Sequence, residues 1–370
     1  MRAKKKQLTF FDRLLLWLNY ALCLALLLGY LAPYIDPRKF WPIAFFGLAY
    51  PPLLLANVIM IMYWLLRKSY WAFLSVTCIL IGFRVLTGNI GFRFSSGDTK
   101  PANPQAVRIM TYNVHNFKHY GEKNDISTKH EILELISKQK PDIIGIQEYF
   151  TRKTGEYDMT DSIQRIMGAK HYYFEPFMSS SSEDIGMAIF SKYPIINHGL
   201  IQLSFKGSTN QCLFVDVDNN GVKFRMYSVH LQSVSFEAQD YEYLGTLSKK
   251  GKTNMTATKR LGSKLKGAFL KRSEQVIIIK NHAETSPYPY IISGDFNDTP
   301  SSFAVNQMAK GIKNAFREKG SGLGRTYNGD FPNYQIDYVM VSPQFDVYNY
   351  KIIEKKLSDH YPLRADLVLK

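Results

Sequence analysis

The sequence predicts a mixed α/β (α+β) protein carried behind a strongly apolar N-terminal region, and three observations predict it. Long uncharged runs fill the first 92 residues, β-branched runs alternate with helical patterns beyond residue 106, and short polar residues close most of those later runs. Hairpins mixed with helix-linked strands suggest a sandwich with sheets inside and helices outside. A chain of 370 residues can hold a membrane region plus one large domain, or two ordinary domains.

The first run, LLLWLNYALCLALLLGYLAPYI, spans residues 14–35 without a charge, about the length needed to cross a hydrocarbon core as a helix. A second uncharged run covers residues 40–66, with Pro42, Pro51 and Pro52 expected to kink it. The third, residues 69–92, holds one charge, Arg84, which could snorkel to an interface. A basic start before an apolar stretch also fits a cleaved signal peptide, but the length of the first run and the two runs behind it favour three retained spans. The first hundred residues carry 12 Lys plus Arg against 3 Asp plus Glu, so they hold +9 of the formal +15. Arg2, Lys4, Lys5, Lys6 and Arg13 precede the first span, and Arg67 and Lys68 follow the second; only Arg38 and Lys39 lie between the first two. That bias predicts a cytoplasmic N-terminus and an extracytoplasmic domain after three spans, an orientation that inverts if one span does not insert. Residues 93–106, rich in Ser, Gly and Pro, read as a tether to a domain covering 107–370.

Within that domain VRIMTYNVHNF reads as a strand, STKHEILELISKQK as a helix closed by Pro141, and DIIGIQE as a buried strand. Further strands are predicted at IGMAIFSKYPI, at CLFVDVD and VKFRMYSVHLQ joined by an Asn-Asn-Gly turn, at YPYIISGDF and at QIDYVMVS; a second helix fits residues 269–283. Cys23, Cys78 and Cys212 are the three cysteines, which excludes a disulfide framework and a cysteine-based zinc site.

The polar groups of interest recur at strand ends: Asn113, Glu148, His230, Asp295 with Asn297, Asp337, and Asp359 with His360. GDFNDTP after the strand at 288–296 reads on its own as a turn. The same stretch would also hold Asp295 and Asn297 on one side of the chain, where they could grip a metal or a reacting phosphate.

Taken in order, TYNVHNF, IIGIQEYF, YSVHLQS, ISGDFNDTPSS, QIDYVMVS and LSDHYPL resemble the endonuclease/exonuclease/phosphatase superfamily, the DNase I-like metal-dependent phosphoesterases. The resemblance implies a four-layer α/β sandwich with two central mixed sheets, an active site at one edge, and Mg2+ as cofactor, with Mn2+ as the alternative. It implies Asn113, Glu148 and Asp359 at the metal, Glu148 as main ligand; His230 on the scissile phosphate; Asp295 orienting or deprotonating the attacking water; Asn297 stabilising the transition state; and Asp337 paired with His360. The chemistry is coherent: a phosphoester is already anionic, so attack needs a cation on its oxygens and a base for the water. Where apurinic-site repair members carry an acidic residue, this chain has His115, which points away from a repair nuclease and leaves open a second metal contact there.

Between Tyr243 and Ser273 lie Lys249, Lys250, Lys252, Lys259, Arg260, Lys264, Lys266, Lys271 and Arg272 with no acidic residue. The segment reads either as a solvated, mobile loop or as a basic lip for polyanions, nucleic acid or anionic lipid. The expected partners are therefore a membrane and a phosphoester substrate, either nucleic acid or a phospholipid or inositol phosphate, with no obligate protein partner evident. An extracytoplasmic nuclease, a lipid or inositol phosphate hydrolase, and a non-catalytic binding protein of the same fold remain separate readings.

Overall fold

The computed structural model describes residues 8–93, 97–117, 126–204, 207–251, 253–329 and 333–370. Arg2, Lys4, Lys5, Lys6 and Lys252 lie outside the described residues.

The N-terminal runs fold as helices, though not as three straight rods. Helix α1 covers Phe10–Gly29 and starts from a Thr9/Asp12 capping box. Then follow α2 (Pro37–Phe40), α3 (Pro42–Leu48), α4 (Tyr50–Leu66), α5 (Ala72–Ile81) and α6 (Phe83–Asn89). Among the described residues only α1 is by itself long and apolar enough to cross a membrane; the number of candidate spans rises to three if the pairs α3–α4 and α5–α6, bent by 61° and 74°, each count as one. Pro42, Pro51 and Pro52 stand in the first turns of α3 and α4, where a missing N–H costs nothing, so they start helices and set the elbow between them. The helices are tied internally by polar side chains: Asn19 Nδ2 donates to Ser75 Oγ (2.6 Å), Ser75 Oγ to Asn57 Oδ1 (2.9 Å), and Trp64 Nε1 to Asn19 Oδ1 (2.9 Å). Large apolar side chains such as Phe10, Trp17, Leu66 and Phe73 point outward and stay exposed.

The chain then forms β1 (Gly91–Phe92) and reaches the sheets. Residues 97–105 do not hang free: Asp98 pairs with Lys351 (2.7 Å) and Arg364 (2.8 Å), and Lys100 with Asp142 (2.5 Å). The sandwich runs β2 (Ala106–Asn113), α7 (Ile126–Gln139), β3 (Ile143–Arg152), α8 (Met159–Met167), β4 (His171–Ser179), β5 (Glu183–Ser191) and β6 (Ile195–Gln202). It continues through β7 (Gln211–Asn219), β8 (Val222–His230), α9 (Ala238–Lys250), α10 (Met255–Glu284), β9 (Tyr290–Asp295) and α11 (Phe303–Met308). It closes with β10 (Lys313–Asn314), α12 (Ala315–Lys319), β11 (Ser321–Gly322), β12 (Asp337–Val341), β13 (Phe345–Ile352) and β14 (Leu363–Leu369).

Two six-stranded mixed sheets, ordered β13-β14-β2-β3-β5-β4 and β10-β12-β9-β8-β7-β6, face each other. Their inner faces interdigitate through Val107, Ile109, Met187, Val215, Met226 and Leu363. The outer face of the first sheet is covered by α7 and α8 through Ile132, Ile136 and Ile163, that of the second by α10 and α11 through Val276, Ile279 and Val305. This is the expected four-layer sandwich, with the Asn-Asn-Gly hairpin at Asn219–Gly221 turning on two left-handed residues, Asn220 and Gly221.

Candidate active site

Strand register places three of the predicted residues in a row. His230, last in β8, lies opposite Asp295, last in parallel β9; Asp295 in turn lies opposite Asp337, first in antiparallel β12. Gly294 makes that approach feasible: its φ is +143°, and a Cβ there would stand 2.0 Å from the Val229 carbonyl oxygen. The facing sheet contributes Asn113 from the end of β2 and Glu148 from β3. The β3–β5 register slips between Ile146 and Tyr149, and Glu148 sits in this bulge at φ +50°, which turns its side chain out of the pleat. Its neighbour Gln147 points between the sheets instead, donating to Thr111 (3.1 Å) and Ser228 (2.9 Å).

The side chains interlock. Asn297, also left-handed (φ +53°), donates its N–H to Asp295 Oδ1 (2.8 Å) and its amide to Asp295 Oδ2 (3.1 Å). Asn113 Nδ2 reaches both Glu148 Oε1 (3.1 Å) and Asp295 Oδ2 (3.2 Å). His360 Nδ1 donates to the Asp337 carboxylate at 3.0 and 3.1 Å, while its Nε2 stands 3.6 Å from Asp295 Oδ2. His230 Nδ1 donates to the Thr209 carbonyl (3.1 Å), so its Nε2 faces Asp295 (3.6 Å) and Glu148 (3.9 Å).

Charge and burial set the protonation states. Burial pushes the Asp295 carboxyl up to about 6; His360 and His230 oppose this and Asp337 adds to it. Burial alone would neutralise His360, but Asp337, Asp295 and Asp359 overcome it and hold the imidazole protonated well above its usual range. Burial would likewise raise Glu148, yet the hydrogen bond from His115, the nearby His230 and the Asn113 amide bring it down to about 2. The His115 pKa is raised, chiefly by its contact with Glu148.

The donor set suits a hard divalent cation. Glu148 is the partly open carboxylate and Asp359 lies nearby, and carboxylate oxygens suit a hard divalent ion; Asn113 turns its Nδ2 towards Glu148 while its Oδ1 accepts the His115 N–H (3.2 Å). His115 Nδ1 sits 3.4 Å from Glu148 Oε2 and 3.8 Å from Asp359 Oδ1, a donor between two carboxylates where a metal would be shared. Asp295, Asp337 and His360 form a second, fully buried cluster whose donor atoms lie within 4.8 Å of one another. There the imidazole is already committed to Asp337, so the arrangement reads as a charge pair beside the Asp295 carboxyl.

Six of the eight predicted residues, Glu148, His230, Asp295, Asn297, Asp359 and His360, line one cleft of about 580 Å³. Asn113 and Asp337 stand directly behind them through the hydrogen bonds just described. Sequence reasoning missed Ser358, whose hydroxyl donates to the Asn113 carbonyl (2.8 Å) and lies 3.1 Å from Asp359 Oδ1; a lone Ser beside Asp-His carries no distinguishing signal. Of the two readings of the basic segment, the loop does not hold, since α9 and α10 cover most of it. Arg260 and Lys264 pair with Asp240 (both 2.7 Å), and Lys266 lies over the Trp41 ring (4.8 Å). Arg272 is buried, bonded to Asp298 (3.1 Å) and to the Asn297 carbonyl, so it braces the turn at 295–298 from behind. Lys249, Lys250, Lys259 and Lys271 remain exposed.

This combination of two-sheet sandwich and strand-end constellation defines a class. The chain belongs to the Endonuclease/Exonuclease/phosphatase family, whose model matches residues 110–360, and it is by class a phosphoester hydrolase. Residues 12–89 match a family model described as a domain of unknown function. No curated protein matches the sequence significantly. Among solved structures, the chain is similar to an endonuclease/exonuclease/phosphatase from Beutenbergia cavernae, with 17% identity, 72% of each chain covered and a TM-score of 0.50. The human Nocturnin catalytic domain with a bound sulfate anion shares 16% identity over 74% of this chain and 97% of that one, TM-score 0.51. A functionally unknown conserved protein from Enterococcus faecalis shares 16% identity over 71% and 100%, TM-score 0.51.

Proposed function

We propose that the chain is a membrane-anchored, Mg2+-dependent phosphoesterase that hydrolyses a phosphodiester or phosphomonoester by direct attack of water, with Mn2+ as the alternative ion. The observation that carries this reading is the fixed Asp295 carboxylate, held on both oxygens by Asn297 and flanked by His230 and His360. A carboxyl near 6 is deprotonated at neutral pH yet basic enough to take a proton from water. Asn297, whose amide donates to Asp295 Oδ2 and to the Leu231 carbonyl (both 3.1 Å), sets the direction of the Asp295 lone pairs and lines the cleft in which the transition state would form. His230, with Nδ1 committed to Thr209, offers Nε2 to the scissile phosphate. Asp337 keeps His360 cationic beside Asp295, which offsets negative charge as it builds in the cleft. A divalent ion held by Glu148, Asp359 and Asn113 would supply the positive charge that a doubly charged transition state demands.

The wider assignment rests on the same footing. The division into a membrane region (1–92), a connection (93–106) and a catalytic domain (107–370), the three spans and the extracytoplasmic placement are part of the proposal. They are supported by the outward-facing apolar side chains of α1, α4 and α5 and by the hydrogen bonds that join those helices from within.

The test is Mg2+-dependent turnover of bis(p-nitrophenyl) phosphate and p-nitrophenyl phosphate by the full chain in detergent, beside Glu148→Ala and Asp295→Asn. Loss of turnover in both variants and on chelation supports the proposal. Activity that survives chelation and Asp295→Asn overturns it. Folded protein that binds Mg2+ without turning over any phosphoester assigns a binding role to the fold instead.

A further inference from the structure

We propose that the α3–α4 elbow forms one wall of the substrate site, and that the substrate is a bilayer amphiphile whose phosphoester head reaches the catalytic strand ends while its hydrocarbon chain lies along that elbow. The inference rests on the phosphoesterase reading above and names its substrate class.

The cleft has two unlike surfaces. Its floor is polar and carries His230, Asp295 and His360; its wall on one side is Phe45, Leu48, Ala49 and Pro52 from the N-terminal helices. Leu265 and Phe269 of α10 extend that apolar lining. The helices therefore contribute side chains to the reaction chamber as well as anchoring it.

The wall is held in register with the catalytic turn. Gly47 packs so closely that a Cβ would lie 2.8 Å from the carbonyl oxygen of Ser301, four residues beyond Asn297. Asn89 at the end of α6 donates to Ser301 Oγ (2.9 Å). The Phe45 ring meets Phe269 edge-on at 5.3 Å, and β1 pairs with β11 through Gly91–Gly322 and Phe92–Ser321.

From the cleft an apolar path leads outward. Pro52, Leu55, Ile59, Met62 and Leu66 recur at three- and four-residue spacing, which puts them on one face of α4, and all five are exposed. A phosphorylated amphiphile needs polar groups for its anionic head and an apolar surface for its chain, and the cleft sets His230 and His360 beside Phe45, Leu48 and Pro52. A polynucleotide needs cations spaced along its backbone. Among the described residues lining the cleft the sole Lys or Arg is Arg272, which is spent on Asp298. Strand-by-strand phosphate binding would desolvate charge against Phe45 and Leu48 with nothing in return.

The test uses the full chain in detergent and water-soluble p-nitrophenyl alkyl phosphates from methyl to octyl. The wild type should show kcat/KM rising by about twofold to fourfold per methylene as the chain covers the wall. Leu48→Gln should flatten that slope, whereas Leu48→Met, which keeps volume and apolarity, should retain it. A flat wild-type series, identical slopes in wild type and Leu48→Gln, or a kcat/KM for a single-stranded oligonucleotide above that of the octyl ester each overturns the proposal. Failure of the phosphoesterase reading looks different: no chelator-sensitive turnover of the methyl ester at all. In that event a phospholipid carrying a diazirine in its acyl chain, supplied in nanodiscs and photolysed, still decides the matter. Label on the peptides spanning residues 45–59 supports the elbow as the lipid wall, and label confined to other segments overturns it.

Discussion

Replacing Asp337 by Asn asks whether His360 works as a cation. The substitution keeps the shape and the acceptor at Oδ1 but removes the charge that His360 Nδ1 contacts at 3.0 and 3.1 Å. Without it, burial dominates and the imidazole loses its proton at lower pH, leaving Asp295 Oδ2, 3.6 Å away, without a cationic neighbour. A hydrogen bond to a charged group is worth about 1.5–3 kcal/mol. If the pair acts in the transition state, kcat falls by about 10- to 150-fold, and the alkaline limb of the pH profile moves to lower pH. Stability supplies a second readout. A histidine whose folded pKa is raised contributes stability that is fully present below its unfolded value, about 6.5, and lost as pH rises through the folded value. The variant of the chelated protein should therefore melt below wild type near pH 6, and the gap should narrow under alkaline conditions. The assays are kcat against pH in saturating Mg2+ and thermal denaturation of the full chain. A kcat within about threefold of wild type with an unmoved alkaline limb would refute the reasoning and leave Asp337 a packing residue.

Three further outcomes are expected. Glu148→Gln, equal in volume but uncharged, should raise the Mg2+ concentration for half-maximal activity by at least about tenfold, read by metal titration, because a carboxylate is the ligand Mg2+ prefers. With burial raising Asp295 to about 6, kcat/KM should fall about tenfold per pH unit on the acid side of that value, since the base must be deprotonated. A bound cation can only lower that limb, so a midpoint at or above about 7 contradicts the assignment. Arg272→Leu leaves buried Asp298 unpaired and should cost about 3–5 kcal/mol by denaturant titration, with part recovered in the Arg272→Leu/Asp298→Leu double variant. An unchanged midpoint removes Arg272 as the brace of the turn.

Much of this site was legible because each residue terminates a strand with a strong pattern of its own. VKFRMYSVH and YPYIISGD are apolar runs that could hardly be anything but buried strands, so His230 and Asp295 were certain to emerge at their ends. What no one-dimensional pattern carries is register. That His230, Asp295 and Asp337 stand abreast follows from how β8, β9 and β12 pair, and that Glu148 escapes the sheet follows from a bulge that leaves IIGIQEYF looking regular. Edge strands β4 and β6 and the short helix α11 passed unnoticed because their faces are half exposed and their periodicity is weak. The basic segment failed for a different reason. Its partners, Asp240 and Glu237, precede Tyr243, so a run without acidic residues of its own is tied to the start of α9.

The charges in the cleft explain why these pieces belong together. Four carboxylates, Glu148, Asp295, Asp337 and Asp359, converge on a space shared with three imidazoles. Like charges so close and so buried cannot all stay ionised without compensation. Asp337 is matched by His360, while Asp295 is raised chiefly by burial and further by Asp337, the property the proposed general base needs. Glu148 and Asp359 are left at the open side with the partly exposed His115 between them, Glu148 being held also by the Asn113 amide. A hard divalent ion would displace that donor with the least loss, because it brings more charge to the same two carboxylates. The carboxylate whose charge is held by hydrogen bonds, Glu148, and the one whose charge is penalised by burial, Asp295, are thus set apart by their surroundings. The two lie on opposite sides of Asn113, whose amide touches both carboxylates and fixes their separation.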